Sequence, residues 1–144
     1  MARMQEQAHA GLDAALARVG DRWSLLIVDA LLGGAMRFND LQEALGAITS
    51  SVLTKRLRHL EGLRLLVATP YSARPPRYSY ALTTPGRDLA GAVRLLTRWG
   101  AEQAGVEVDG PVHRECGTAL EARWYCPTCE RALADEDQGE PGFI

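Results

Sequence analysis

The segment from Phe38 to Leu63 constrains the fold most, because its pattern predicts two short helices joined by a tight turn. Asn39 is a suitable N-cap for the first helix, the turn is Gly46–Ile48, and Thr49 is a suitable N-cap for the second. Three leucines then recur at helical spacing and predict a buried face, namely Leu53, Leu57 and Leu60. The segment is therefore predicted to form a helix-turn-helix.

The opposite face of the second helix carries small hydroxyls near its start and cations further on. These residues are Ser50, Ser51, Thr54, Lys55 and Arg58. Short polar side chains at a helix start can reach base edges in a DNA major groove, while Lys and Arg contact phosphates. Taken alone, the pattern fits an ordinary solvated surface helix equally well.

The charge distribution favours the DNA interpretation, although the net charge of the 144 residues is −2. Residues 105–144 contain nine acids and three bases, so the preceding part of the chain carries a balance of +4. Between Lys55 and Arg77 there are six bases and one acid, Glu61. A local basic stripe of this kind is the electrostatic signature of nucleic-acid binding.

A β-hairpin is predicted directly after the helix-turn-helix. Its strands are Leu65–Thr69 and Tyr78–Leu82, and the loop between them, Pro70–Arg77, carries Arg74 and Arg77. A hairpin with a basic tip in this position is typical of the wing of a winged helix, whose arginines reach the minor groove or the DNA backbone. The alternative is a hairpin whose arginines are simply solvated.

Two helices are predicted before this segment. Gly20 ends the first, and Asp21 caps the second, which is apolar on nearly all sides and therefore central to the domain. Met36–Phe38 is a candidate short strand. After the wing, Thr84 is a candidate cap for a closing helix that includes Leu89–Trp99 and exposes enough apolar surface for a dimer contact.

The three cysteines lie close together near the C-terminus. With His113 they form the pattern H-x2-C…C-x2-C, made of His113, Cys116, Cys126 and Cys129. This spacing is typical of a small structural zinc ribbon, and such a short segment would draw its folding energy from the metal. The alternative is three reduced thiols on a loosely ordered tail, followed by an acidic stretch from Asp135 to Glu140 that confers solubility.

An enzyme is not expected. The order His113, Glu115, Cys126, Cys129 is similar to the zinc deaminase pattern H-x-E…P-C-x-x-C, but Tyr125 replaces the proline and the intervening gap is too short. Four protein ligands would also leave no open position for water. The sequence contains no nucleophile elbow or phosphate loop.

Cytoplasmic residence is expected, because the N-terminus lacks the apolar run of a signal peptide. The most apolar stretch, Trp23–Met36, contains Asp29 and is too short to span a bilayer. No contact with a membrane is predicted.

Between Ala10 and Gly100 the chain resembles the HxlR family of bacterial winged-helix transcription regulators, relatives of MarR. The matching motifs, in family order, are Gly20-Asp21-Arg22-Trp23, Arg37-Phe38-Asn39-Asp40-Leu41, Ile48 to Leu57, Arg74-Pro75-Pro76-Arg77 with Tyr80-Ala81-Leu82-Thr83, and Arg98-Trp99-Gly100. The resemblance implies a homodimer built from terminal helices, with two recognition helices in successive major grooves of an operator near a promoter.

Two positions depart from the family pattern. Ala10 stands where the family often has a cysteine, which in some members senses oxidants or electrophiles, so thiol switching at that site is not expected. Arg64 stands where the family favours glycine after the recognition helix. A non-glycine residue in a left-handed cap costs about 1 kcal/mol. We therefore expect the helix to end differently, or Gly62 to supply the break.

The predicted fold is mainly α with a small β-hairpin wing. Residues 1–104 form a winged helix-turn-helix for DNA binding and dimerisation, and residues 105–144 form a linker, a zinc-ribbon-like appendage and an acidic tail. The predicted function is regulation of transcription by binding a pseudo-palindromic double-stranded DNA operator as a homodimer. A small-molecule effector is compatible with this function. The alternative is a winged-helix protein–protein module that uses the C-terminal segment as its interaction surface.

Overall fold

The computed structural model describes residues 2–134, with side chains from His9 onward. The chain divides into two compact units, one of which is Leu12–Arg94. The other combines the described parts of Met1–Gly11 and Leu95–Ile144. The domain boundary predicted at residue 104 stays a prediction, and the acidic tail from Asp135 to Glu140 lies outside the described residues.

The first helix, α1 (Ala2–Val19), ends where predicted, at Gly20. The Gly20 N–H donates to the Leu16 carbonyl at 2.8 Å. A Cβ atom at position 20 would lie 2.3 Å from that same oxygen. Glycine is therefore required for the chain to leave the helix in this direction.

The second helix, α2 (Arg22–Leu32), is the centre of the Leu12–Arg94 unit. Asp21 is its N-cap, as predicted, and its carboxylate accepts hydrogen bonds from the N–H groups of Trp23 and Ser24. Four residues of this helix are buried, namely Ser24, Ile27, Val28 and Leu31. The helix therefore lies inside the fold, as its largely apolar sequence predicted.

A three-stranded antiparallel sheet packs beside the helices. Its strands are β1 (Met36–Arg37), β2 (Leu66–Ala73) and β3 (Pro76–Leu82), in the spatial order β1-β3-β2. Strands β2 and β3 form the predicted hairpin wing, in which Leu66 pairs with Leu82.

The wing has longer strands and a tighter turn than predicted, because pairing continues through the prolines to Ala73 and Pro76. Strand β2 lies at the edge of the sheet, so the missing N–H of Pro70 interrupts no ladder on its outer side, and a register shift follows between Pro70 and Ser72. The predicted eight-residue loop reduces to a turn at Arg74 and Pro75.

Helix α3 (Phe38–Leu45) begins two residues earlier than an N-cap at Asn39 would place it, so Asn39 is not its cap. Arg37 occupies the cap position and is also the last residue of β1, where it pairs with Ser79. The Asp40 carboxylate accepts the Arg37 N–H at 3.4 Å. The pairing of β1 with β3 thus sets the start of the helix.

Helix α4 (Ser50–Gly62) forms as predicted, with Thr49 Oγ1 accepting the Val52 N–H at 3.4 Å. Its buried residues are Leu53, Leu57 and Leu60. The expectation about Arg64 was wrong, because Arg64 itself adopts the left-handed conformation with φ of 59°. The Leu65 N–H donates to the Leu60 carbonyl at 3.0 Å, which closes a Schellman-type end at this residue.

Two helices follow the wing, α5 (Thr84–Arg87) and α6 (Ala90–Ala104). The N-cap of α5 is Thr83, one residue before the predicted Thr84, because the Thr83 hydroxyl accepts the Gly86 N–H at 3.3 Å. The same hydroxyl donates to the Arg64 carbonyl at 2.6 Å, which ties this cap to the end of α4.

Among the residues whose side chains the structure describes, the buried hydrophobic cluster lies within the Leu12–Arg94 unit. Its buried members are Val19, Ile27, Val28, Leu31, Leu41, Ile48, Leu53, Leu57, Leu60, Leu66, Leu82 and Val93. Within residues 2–134, no helix combines the length and apolar character that crossing a membrane requires.

The C-terminal segment contains two small hairpins. In the first, Val112 bridges Ala119, and in the second β4 (Tyr125–Cys126) pairs with β5 (Arg131–Ala132). None of the described residues from 105 to 134 is buried. The segment therefore has no apolar core of its own.

Candidate nucleic-acid interface

Helix α4 presents the predicted polar residues on the side opposite its buried leucines. Ser50, Ser51, Lys55 and Arg58 are exposed, and Thr54 is half-buried. Because Leu53 and Leu60 are fully buried, the helix is held firmly and its outer face has a defined orientation.

The hydroxyls of this face differ in how far they are already hydrogen-bonded. Thr54 Oγ1 donates to the Ser50 carbonyl at 2.8 Å, and Ser50 Oγ lies 3.0 Å from Gln42 Nε2. Ser51 Oγ has only a 3.3 Å contact, with Thr49 Oγ1. Among the three, Ser51 therefore has the hydroxyl most available to a ligand.

Gln42 on α3 is a residue that the sequence reading missed. Its Nε2 lies 3.3 Å from the Ile48 carbonyl as well as close to Ser50, so its side chain spans the turn between the two helices. Since the contacts connect residues six and eight positions apart, helical spacing alone gave no signal for them.

Arg56 was not selected from the sequence as a DNA contact, and its environment explains why it differs from its neighbours. Its Nε atom is buried and lies 3.3 Å from the Asp21 carboxylate, an ion pair without the alignment of a good hydrogen bond. The basic residues of α4 therefore have two different roles. Lys55 and Arg58 lie on the outer face, whereas Arg56 pairs with Asp21 through its buried Nε atom.

The negative charge of the Asp21 carboxylate is stabilised by the groups around it. Partial burial by itself would raise the pKa of its carboxyl, but hydrogen bonds from the Ser24 side chain and backbone, the Arg56 charge and the Trp23 N–H outweigh it. The pKa of Asp21 therefore lies below its ordinary value, and the carboxylate is ionised at neutral pH.

The wing carries Arg74 at its turn and Arg77 at the beginning of β3, and both are exposed. Beside it lies a cavity of about 410 Å³ lined by Arg37, Phe38, Asn39, Asp40, Tyr71, Pro76, Arg77, Tyr78 and Tyr80. The Arg37 guanidinium stacks 4.7 Å from the Tyr71 ring centroid, which fixes a cation beside the wing. The cavity thus combines two arginines with tyrosine rings, a surface suited to phosphate and sugar contacts.

Tyr80 lines this cavity and interacts electrostatically with two residues of helix α4. Burial raises the pKa of its phenol, the charges of Glu61 and Tyr78 act in the same direction, and Arg58 opposes them. The phenol therefore stays neutral near pH 7 and retains its O–H as a donor.

The C-terminal donors form two pairs. His113 Nδ1 lies 3.3 Å from Cys116 Sγ, and the thiols of Cys126 and Cys129 are hydrogen-bonded to each other. Within residues 2–134, no three His, Cys, Asp or Glu side chains gather in a group able to hold a metal ion. The structure thus places the four predicted ligands in two separate pairs.

Hydrogen bonds set the acidity of these thiols. The N–H groups of Cys129 and Thr128, followed by the Cys129 side chain, lower the pKa of Cys126, and the Thr118 hydroxyl and N–H lower that of Cys116. Sharing a hydrogen bond with Cys126 raises the pKa of Cys129. The N–H groups of the two turns thus point at the sulfur atoms.

Comparison with known proteins agrees with this architecture. An uncharacterised HTH-type transcriptional regulator of Mycobacterium tuberculosis is 39% identical over 132 residues, which cover 89% of this chain and 83% of the relative. Among solved structures, PA1607, described as a candidate transcription factor, is 29% identical with a TM-score of 0.70 and covers 87% of this chain and 89% of its own. The reduced transcriptional regulator YodB of B. subtilis is 26% identical with a TM-score of 0.55, covering 64% and 90%.

The family assignment rests on a sequence-family model that matches more than half of the chain. The HxlR-like helix-turn-helix model matches residues 18–108, which contain α2, the helix-turn-helix, the wing and α6. The resemblance seen in the sequence motifs is therefore confirmed, and the relatives are transcriptional regulators rather than enzymes. The chain belongs to the HxlR-like helix-turn-helix family, as a winged-helix transcriptional regulator of the HxlR and MarR type.

Proposed function

We propose that this regulator binds double-stranded DNA as a homodimer, at a pseudo-palindromic operator, through α4 and the wing. The outer face of α4 carries the proposal, because exposed hydroxyls and cations stand directly opposite leucines that are fully buried. Its N-terminal residues would contact base edges in the major groove. Such a protein acts where the bacterial chromosome lies, in the cytoplasm.

The cations supply the attraction to phosphates in this proposal. Lys55 and Arg58 extend from α4, Arg74 and Arg77 extend from the wing, and Arg37 is held against Tyr71 of strand β2. Each phosphate that a cation neutralises releases counterions, so binding of this kind weakens steeply as salt rises.

Dimerisation would use apolar side chains that the helices leave exposed. On α1 these are Leu12 and Leu16, and on α6 they are Leu95, Leu96 and Trp99. Large apolar residues repeated along an exposed helix face favour association with another chain. A two-fold dimer would place two α4 helices on half-sites about one helical turn, or a multiple of it, apart.

The DNA proposal is tested by fluorescence anisotropy on DNA selected from a random library, at several salt concentrations. We expect the Arg74→Ala, Arg77→Ala variant to bind more weakly, with a log K against log salt slope flatter by about two units. The matched control is Arg114→Ala with Arg123→Ala, which removes the same charge outside α4 and the wing. Equal affinity of the wing variant and the wild type would refute the wing contact.

The dimer is tested by light scattering and sedimentation at micromolar concentration. We expect Leu16→Glu and Trp99→Glu to shift the protein toward monomer and to weaken operator binding. Trp124→Glu is the matched control, because Trp124 is an exposed tryptophan outside both helices. A wild-type monomer with and without DNA would contradict the proposal.

A further inference from the structure

The two C-terminal hairpins share a feature that has no part in the DNA contacts proposed for helix α4 and the wing. Each turn carries two donor side chains three residues apart, His113 with Cys116 and Cys126 with Cys129. In the first hairpin, the His113 N–H donates to the Thr118 carbonyl at 2.8 Å. In the second, Cys126 pairs with Arg131 across the turn.

The backbone of the two turns is also alike. The residue after the second donor is left-handed in both, Gly117 with φ of 70° and Glu130 with φ of 52°. Glutamate in this region is strained, and strained non-glycine residues concentrate at ligand-binding turns. Although glutamate stands where the first turn has glycine, the backbone adopts the same left-handed conformation in both turns.

The donor spacing within the first turn matches tetrahedral coordination. Zn–N and Zn–S bonds of ordinary length place neighbouring N and S ligands about 3.5 Å apart in a tetrahedron. The separation of His113 Nδ1 from Cys116 Sγ is 3.3 Å. In the second turn, the N–H groups of Thr128 and Cys129 point at Cys126 Sγ, and such hydrogen bonds orient a sulfur ligand before a metal binds.

The described part of the segment also has no buried core that could supply its folding energy. Residues 105–134 bury no side chain, yet they form two hydrogen-bonded hairpins rather than one extended strand. A chain this short and exposed needs a crosslink or a metal to fold. A single ion held by both turns would provide it.

We infer that His113, Cys116, Cys126 and Cys129 bind one Zn²⁺, which joins the two hairpins and has a structural role. Three cysteines and one histidine are a common ligand set for structural zinc, and soft thiolates at this spacing favour it over hard cations. Since the donors lie in two pairs, metal binding must bring the turns together. With four protein ligands, no position is left for water, so the site has no hydrolytic function.

The experiment measures zinc in the untagged full chain, purified without chelator and then after incubation with Zn²⁺. We expect about one zinc per chain in the wild type and a loss of at least about tenfold in Cys126→Ser with Cys129→Ser. Glu115→Gln and Thr128→Ser are the matched controls, because they change the same two turns without removing a proposed ligand. Both controls should retain zinc.

A Co²⁺ titration of the metal-free chain gives an independent measurement, since tetrahedral thiolate coordination produces intense visible absorption. We expect these bands in the wild type, a weaker spectrum in His113→Ala and none in the double cysteine variant. Less than about 0.2 zinc per chain after incubation, or full zinc in the double cysteine variant, would overturn the site. Zinc loss in Glu115→Gln would overturn the assignment of these four ligands.

Discussion

The carboxylate of Asp21 connects the start of helix α2 to the middle of helix α4, because one of its oxygens lies 3.3 Å from Nε of Arg56. The same oxygen accepts the N–H groups of Trp23 and Ser24, and the other accepts the Ser24 hydroxyl at 2.5 Å. A single side chain therefore caps the central helix and holds the proposed recognition helix against it.

Replacement of Asp21 by alanine should destabilise the protein by about 1–3 kcal/mol, since it removes an N-cap and leaves the buried Arg56 Nε without its ionic partner. The free energy of unfolding is measured by urea denaturation followed by circular dichroism. Asp29→Ala is the matched control, because Asp29 is an exposed acid on the same helix. A loss no larger than that of the control would contradict the role of Asp21.

The stabilisation from the Asp21 charge should depend on pH. Because the pKa is lowered on folding from 3.8, the contribution is fully present above about pH 4 and is lost as the pH falls through the lower folded-state pKa. The difference in unfolding free energy between the wild type and Asp21→Asn should therefore be constant from neutral pH to about pH 5 and shrink below about pH 4. A difference unchanged at the lowest pH where both remain folded would show that the charge is not responsible.

Arg64→Gly should stabilise the protein by about 0.5–1 kcal/mol, because Arg64 adopts a φ of 59° that glycine adopts without strain. Thermal and urea unfolding measure the gain. Arg64→Ala separates relief of the backbone strain from loss of the side chain, and it should bring no comparable gain. Equal stabilisation by alanine and glycine would place the effect in the arginine side chain instead.

The elements that depended on local chemistry were predictable from the sequence. Asp21 and Thr49 were identified as caps because a short polar side chain before an apolar helical pattern satisfies free N–H groups nearby. The buried face of α4 followed from the helical spacing of Leu53 and its two partner leucines. The same local reasoning found the two donor pairs near the C-terminus.

The errors came from strand pairing and side-chain contacts that the residue pattern did not reveal. Pairing of Arg37 with Ser79 moved the start of α3 away from Asn39, and pairing of Ala73 with Pro76 shortened the wing turn. The stacking of Arg37 on Tyr71 and the bridging of the turn by Gln42 also depend on tertiary geometry. Whether the two donor pairs meet around one ion depends on the same kind of long-range arrangement.

Gly86→Ala should destabilise the protein by about 1–3 kcal/mol through overpacking. Gly86 is buried in α5, and a Cβ there would lie 2.0 Å from the Leu65 carbonyl oxygen, which accepts the Thr83 N–H. Gly91→Ala on α6 is the matched control, because nothing lies within 4 Å of its Cβ position. There alanine should stabilise by up to about 1 kcal/mol, since it favours the helix. Similar unfolding midpoints for the two variants would contradict the close approach at Gly86.

The hydroxyls of α4 should contribute sequence preference to DNA binding, and Ser51 should contribute most. Thr54 Oγ1 already donates to the Ser50 carbonyl, and Ser50 Oγ is engaged by Gln42, whereas Ser51 has only a 3.3 Å contact with Thr49. Ser51→Ala should therefore alter discrimination at one base pair by about 1–3 kcal/mol, and Thr54→Ala should alter it less. The measurement compares affinities for the selected operator and its single-base variants.

Lys55→Ala provides the contrasting variant for this last prediction, because Lys55 is an exposed cation on the same helix face. It should weaken binding to all of the operator variants about equally and flatten the salt dependence by about one unit, as expected for a phosphate contact. A triple alanine variant at Ser50, Ser51 and Thr54 that selects the same operator as the wild type would show that this face does not read bases. A change in preference caused by Lys55→Ala alone would instead assign the base contact to the lysine.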